Sequence, residues 1–217
     1  MALLKNKKIL FLLSGLEGGG AERVACILSN YWARNGNKVI IMPTFSKKGG
    51  IAYEVDDSVE ILFLSDLLGT TVNSFFNQLK RFFLLRKFIR DSDPDVIISF
   101  MTQVNVVAIL SAFNAGKPLI VSERTYPPNS SLSDIPYSWR ILRRITYPLA
   151  NAVVMQTEQG LDWLKDNIKQ AKGFTISNPV EKPIPFSTPD LKVENYVSPD
   201  INLCLVVGRL VKDKRLE

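Results

Sequence analysis

Ile9-Leu10-Phe11-Leu12-Leu13-Ser14-Gly15-Leu16-Glu17-Gly18-Gly19-Gly20-Ala21-Glu22-Arg23 decides the fold. A short apolar run opens into glycines, and an amphipathic segment begins directly behind them. The run reads as a buried strand and the segment as a helix. Glycines at such a junction let backbone N–H groups approach a phosphate closely. The alternative is a tight turn with no ligand. Three consecutive glycines exceed what a turn needs, because each costs ordering entropy. The run does not fit G-x-G-x-x-G, and no acidic residue closes the second strand to meet a dinucleotide ribose.

Outward from this unit the pattern repeats. Strand-length apolar runs fall at Lys8–Ser14, Lys38–Pro43, Val59–Leu64, Val96–Phe100, Pro118–Ser122, Ala152–Gln156 and Phe174–Ser177. Helical patterns fall at Ala21–Asn35, Asn73–Arg90, Val104–Ala115, Tyr137–Leu149 and Glu158–Gln170. Continuous apolar strands separated by helices predict an α/β fold: a Rossmann-like parallel sheet with helices on both faces. In such sheets the ligand crevice lies at the carboxyl ends of the strands. Ser14–Gly20, Pro43–Gly50, Phe100–Asn105 and Ser122–Pro128 converge there.

The helices are phased by their apolar spacing. In the first, Val24, Ile27, Leu28, Tyr31 and Trp32 form the inner stripe, with Glu22, Ser29, Asn30 and Arg34 opposite. In Asn73–Arg90 the stripe is Phe75, Leu79, Phe82, Phe83 and Ile89, leaving Leu84 and Phe88 outside near Lys80 and Arg81. In Tyr137–Leu149 it is Ile141, Leu142, Ile145 and Leu149. Arg140, Arg143 and Arg144 take the opposite face, flanked by Trp139 and Tyr147. Basic residues beside aromatics suit an anionic membrane surface; a solvated basic helix is the alternative.

After Asn178 the texture changes. Residues 179–200 are rich in proline and mixed charge, a linker composition. Ile201–Val207 then reads as a fresh buried strand, followed by Gly208-Arg209-Leu210 and Lys214. This predicts a first domain over 1–178, a linker over 179–200 and the start of a truncated second domain over 201–217. An Arg and a Lys so placed fit a diphosphate clamp, Arg as a fork and Lys as a point charge.

The 217 residues have room for a full core. The net charge of +6 favours an anionic partner. Two isolated cysteines, Cys26 and Cys204, argue against a disulfide framework and fit a reducing cytoplasm. The absence of histidine removes the commonest general base, the usual zinc ligands and the Ser-His-Asp route. No window offers the roughly 18 uninterrupted apolar residues of a spanning helix, so membrane contact is expected to be peripheral, on the inner face of the cytoplasmic membrane.

Taken together, these segments resemble the N-terminal, acceptor-side half of a family 4 retaining glycosyltransferase of GT-B architecture. The resemblance rests on Gly18-Gly19-Gly20-Ala21-Glu22-Arg23, Ile98-Ser99-Phe100-Met101-Thr102-Gln103-Val104-Asn105 and Val121-Ser122-Glu123-Arg124. It rests further on Ile176-Ser177-Asn178-Pro179-Val180 and Val206-Val207-Gly208-Arg209-Leu210. It implies that Gly18, Gly19 and Gly20 face the diphosphate of a nucleotide-sugar donor, and that Arg209 and Lys214 bind it from the second domain. It implies an acceptor cleft including Thr102 and Asn105, a lipid-linked or polysaccharide acceptor, and no metal or other cofactor. Many members carry a histidine after the fifth strand, where this chain has Ser122-Glu123-Arg124, so Glu123 and Arg124 are the candidates to face the reacting sugar. The family's paired donor-site glutamates would lie beyond residue 217, which leaves the chain alone inactive.

Two other functions compete. One is a non-catalytic acceptor-binding module or split subunit. The other is a Rossmann-fold oxidoreductase or epimerase, opposed by the missing ribose-binding acid and the missing Tyr-x-x-x-Lys pair. No base-reading motif accompanies the basic face, which argues against nucleic acid.

Overall fold

The structure is a computed structural model and describes residues 5–46, 49–69, 75–128, 135–180 and 196–198. The elements run β1 (Lys8–Leu13), α1 (Gly20–Arg34), β2 (Lys38–Pro43), β3 (Glu60–Ile61), α2 (Leu64–Leu68), α3 (Phe75–Ser92) and β4 (Val96–Phe100). They continue with α4 (Thr102–Ala112), β5 (Leu119–Ser122), α5 (Tyr137–Thr146), a 3-10 turn (Tyr147–Leu149), β6 (Ala152–Met155), α6 (Glu158–Asn167) and β7 (Gly173–Thr175). The strands form one sheet in the order β3-β2-β1-β4-β5-β6-β7. Every neighbouring pair is parallel. All seven expected strands are present, most of them a residue or two shorter than their apolar runs.

Side-chain alternation explains why the strands read as continuous apolar runs. Leu10 and Leu12 of β1 enter one core with Ile40, Leu85, Ile97, Val104 and Leu164. Ile9, Phe11 and Leu13 enter the other with Val24, Ala25, Val39, Ile41 and Phe100. Helix α1 thus packs on one face, and α3, α4 and α6 on the other.

Two helices, α3 and α5, sit in a different rotation from the one their apolar spacing suggests, and α1 departs from its expected stripe at Ser29 and Tyr31. In α1 the buried positions are Val24, Ala25, Cys26 and Ser29, while Tyr31 is exposed. Leu28 and Trp32 pack against the same core, the Trp32 ring centroid 6.0 Å from that of Phe11 in β1. In α3, Arg81, Leu85 and Ile89 are buried and Leu84 and Phe88 pack against the core, whereas Leu79 and Phe83 are exposed. The guanidinium of Arg81 lies over the Phe45 ring, 5.2 Å from its centroid.

In α5 the correction is largest. Arg143 is buried, and Ile141, Ile145 and Leu149 are exposed. Trp139 packs against the core and Tyr147 is fully buried. Arg143 therefore does not belong to a surface patch with Arg140 and Arg144.

The chain divides into two compact units, Met1–Asn178 and Pro179–Glu217. The strand expected over 201–207, and with it Cys204, Arg209 and Lys214, lie outside the described residues. No described helix is long and apolar enough to cross a membrane.

Candidate functional site

Strands β2 and β3 lie to one side of β1 and β4 to β7 lie to the other. The strand order therefore reverses between β1 and β4, and in open α/β sheets the carboxyl ends at such a point are where ligands bind. The loop after β1 carries the glycines. Gly18 holds φ at +124°, a conformation that side chains resist, and a Cβ there would sit 3.3 Å from that of Ala52. Gly19 is the N-cap of α1, with extended backbone and no side-chain cap. A Cβ on Gly20 would meet nothing within 4 Å. Only Gly18 is demanded by backbone conformation, and Gly20 keeps its surroundings open at the first turn of α1.

Opposite this loop, Met101 joins β4 to α4 with φ at +78°, a strained value for a side-chain-bearing residue. Its N–H donates to the Ser122 carbonyl, 3.1 Å away, which ties the ends of β4 and β5 together.

Glu123 and Arg124 follow β5 and behave differently. Glu123 is 4% exposed. Its carboxylate accepts from Thr102 Oγ1 at 2.9 and 3.0 Å, and from the Tyr147 hydroxyl at 2.6 Å. Arg143 Nη1 lies 3.5 Å from the same group. Asn105 Nδ2 donates to the Tyr147 oxygen at 2.9 Å and to the Ser122 carbonyl at 3.0 Å, while its Oδ1 accepts from Ser99 Oγ at 2.8 Å. Burial, then the Glu123 charge, pushes the Tyr147 phenol well above its ordinary range, so it stays a donor.

These contacts correct three expectations. Glu123, Thr102 and Asn105 do not line a cleft; they form a closed polar cluster that joins α4, β5 and the end of α5. Glu123 is enclosed by its partners. Tyr147 is the member that helical spacing did not assign to this cluster.

Arg124 is half-buried. Its guanidinium stacks on Phe100, 4.5 Å from the ring centroid, and Phe100 meets Phe11 edge to face at 4.7 Å. It also reaches the Asn178 side chain, which Gln156 Nε2 contacts at 3.2 Å. Arg124 Nε has no hydrogen-bond partner among the described residues. Burial lowers its pKa to about 10, so it remains a cation at neutral pH. Arg124 thus stands beyond the carboxyl end of β5, against the aromatic pair Phe100 and Phe11. Asn178 stood within a quoted motif, but its pairing with Arg124 across 54 residues had no local signal.

A cavity of about 450 Å3 lies at the other end of the sheet. It is bounded by Pro118 and Leu119 at the start of β5 and by Phe113 and Leu149, so it is not continuous with the glycine loop.

A sequence model described as glycosyltransferase family 4 matches residues 18–182. The chain belongs to this family. A curated relative, the GalNAc-alpha-(1->4)-GalNAc-alpha-(1->3)-diNAcBac-PP-undecaprenol alpha-1,4-N-acetyl-D-galactosaminyltransferase of Campylobacter jejuni, is 29% identical over 208 residues. Those residues are 95% of this chain and 54% of the relative, so the chain spans about half that protein's length. Among solved structures, sucrose-phosphate synthase from Thermosynechococcus elongatus superposes with a TM-score of 0.64 at 11% identity, covering 79% of this chain and 48% of that one. Anabaena HepE in complex with UDP and glucose gives 0.58 at 17% identity, covering 81% and 45%. At these identities the likeness is one of fold: the Rossmann-like N-terminal domain of the GT-B architecture. Family membership sets aside the oxidoreductase reading.

Proposed function

We propose that the chain is the acceptor-side half of a retaining glycosyltransferase that moves a sugar from a nucleotide diphosphate donor to a lipid-linked glycan. The observation that carries this is the parallel sheet of a family 4 fold, with an open glycine loop after β1 and Arg124 after β5, both at the carboxyl ends of their strands. The Campylobacter relative, whose acceptor carries a diphosphate-linked lipid, supports the acceptor class.

In this reading an acceptor hydroxyl bonds to the anomeric carbon and the bond from that carbon to the donor diphosphate breaks. The hydroxyl proton leaves with the released diphosphate. Charge developing on that diphosphate is met by the N–H groups at the start of α1, beside Gly18, Gly19 and Gly20. Arg209 and Lys214 complete the clamp, and no metal is required. Arg124, held flat on Phe100, supplies a fixed cation beside the reacting sugar.

The protein works at the inner face of the cytoplasmic membrane. Exposed Tyr137, Ile141 and Ile145 beside Arg144 replace the all-arginine face as the lipid-facing strip.

The test is transfer by the gene's full-length product, with a nucleotide sugar and a polyprenyl-diphosphate glycan, and NMR of the new linkage. Retained anomeric configuration is expected. Inversion, or no transfer to any lipid-linked glycan, would overturn the reading.

A further inference from the structure

Three consecutive strands end in a row of polar side chains. Arg124 follows β5, Gln156 follows β6, and Asn178 lies beyond β7. Parallel pairing brings these ends side by side: Val121 is level with Val153, and Val154 with Phe174. The Ile176 N–H extends the last pairing, donating to the Met155 carbonyl at 2.9 Å.

The row meets at Asn178 Oδ1. That oxygen accepts from Arg124 Nη2 and from Gln156 Nε2 at 3.2 Å. Two donors on one oxygen fix which way the Asn178 amide faces, since its nitrogen can only donate. On the other arm of the fork, Arg124 Nη1 lies 3.5 Å from Ser122 Oγ, which itself donates to the Val154 carbonyl at 3.1 Å. The Phe100 ring, its centroid 4.5 Å from Arg124 Cζ, sets the guanidinium plane.

None of these supports is charged. Among the described residues Arg124 forms no ion pair. The adjoining carboxylate, Glu123, is engaged by Thr102, Tyr147 and Arg143 instead. Burial, with no neighbouring charge behind it, is what lowers the Arg124 pKa. An aspartate at position 178 would grip the guanidinium harder, because charge-assisted hydrogen bonds are the stronger ones. It would also cancel the positive charge. The amide holds the cation and leaves its charge to act on another group.

We infer that Asn178, oriented by Gln156, is a positioning residue for Arg124, fixing the guanidinium without neutralising it. The inference rests on the function proposed above for what Arg124 then does, whereas the fixing itself is readable without sugar transfer.

The experiment has two arms. The first is NMR of the 217-residue chain carrying nitrogen-15 arginine. A guanidinium held through Nη2 rotates slowly and shows separate Nη1 and Nη2 signals, whereas a released one averages them. Separate Arg124 signals are expected in the wild type and in Asn178→Asp, and averaged signals in Asn178→Ala. The second arm is transfer kinetics of the full-length product. Asn178→Ala and Asn178→Asp are each expected to lower kcat about tenfold or more, with KM nearly unchanged. A residue that only braced the fold would tolerate aspartate, which keeps the acceptor oxygen. Asn178 is exposed, and circular dichroism checks that each variant is folded.

Separate signals persisting in Asn178→Ala would overturn the inference. So would a wild-type kcat in Asn178→Asp where Arg124→Ala is impaired. If Arg124→Ala transfers sugar at the wild-type rate, the proposed function fails, and averaged signals in Asn178→Ala still support the positioning.

Discussion

Arg143 Nη1 lies 3.5 Å from Glu123 Oε1, and each of the two side chains is 4% exposed. An ion pair this deep is costly to break from one side, because the surviving charge keeps its desolvation penalty. Glu123→Gln is expected to cost about 3 kcal/mol of stability, read from denaturant unfolding of the chain. A loss within experimental error would mean that the carboxylate does not hold α5 in place.

The phenol of Tyr147 joins the same cluster. Tyr147→Phe removes the 2.6 Å donor to Glu123 and the acceptor of Asn105, at an expected cost of about 1–3 kcal/mol. The pH dependence has a definite sign. The folded pKa is raised above the unfolded value near 10, so above that pH the unfolded state releases a proton that the folded state keeps. Stability therefore falls as pH rises past about 10. The gap in unfolding midpoint between the wild type and Tyr147→Phe should narrow there; a constant gap would contradict this.

Gly18 and Gly20 should respond differently to alanine. Gly18→Ala forces a side chain into φ +124° and is expected to cost about 1–3 kcal/mol. Gly20→Ala meets open space and sits in the first turn of α1, so stability should hold. If the loop cradles the donor diphosphate, Gly20→Ala will raise the donor KM of the full-length product several-fold. An unchanged KM would make the glycines a turn and nothing more.

Asp56 offers a test away from the site. Its carboxyl is held down at about 2 by hydrogen bonds from the Ser58 hydroxyl first, then from Arg34, then from the Ser58 backbone. A lowered carboxylate pKa adds stability above the unfolded value of about 4, and this is lost as pH falls toward 2. The stability difference between the wild type and Asp56→Asn should therefore close between about pH 4 and 2. A difference that persists at pH 2 would show that the contacts do not depend on the charge.

The sheet was legible because both of its faces are buried. Leu10 and Leu12 serve one core and Ile9, Phe11 and Leu13 the other, so the run shows no gaps. Helix rotation was less legible. The apolar pattern of α5 points Ile141 and Ile145 inward, yet Arg143 goes in, because Glu123 and Trp163 receive it from 20 residues away on either side. No periodicity carries that information. The apolar residues of α3 are spread around the helix among its charges, with Phe76, Leu79 and Phe83 outward and Leu85 and Ile89 inward, which leaves its phase to tertiary contacts. Helix α2, with five residues, is too short to show a period. At the site, residue types singled out Glu123 and Arg124 together. That Glu123 is enclosed and Arg124 only half-buried depended on Thr102, Tyr147 and Phe100 taking up their places in the fold.

The central claim is that sugar transfer takes place beside Arg124, and kcat/KM of the full-length product for the nucleotide sugar tests it most directly. Arg124→Ala should lower kcat/KM by about a hundredfold or more with unfolding stability retained, and Arg124→Lys should restore only part, since an ammonium cannot reproduce the guanidinium stacked on Phe100. A wild-type kcat/KM in Arg124→Ala would contradict the account.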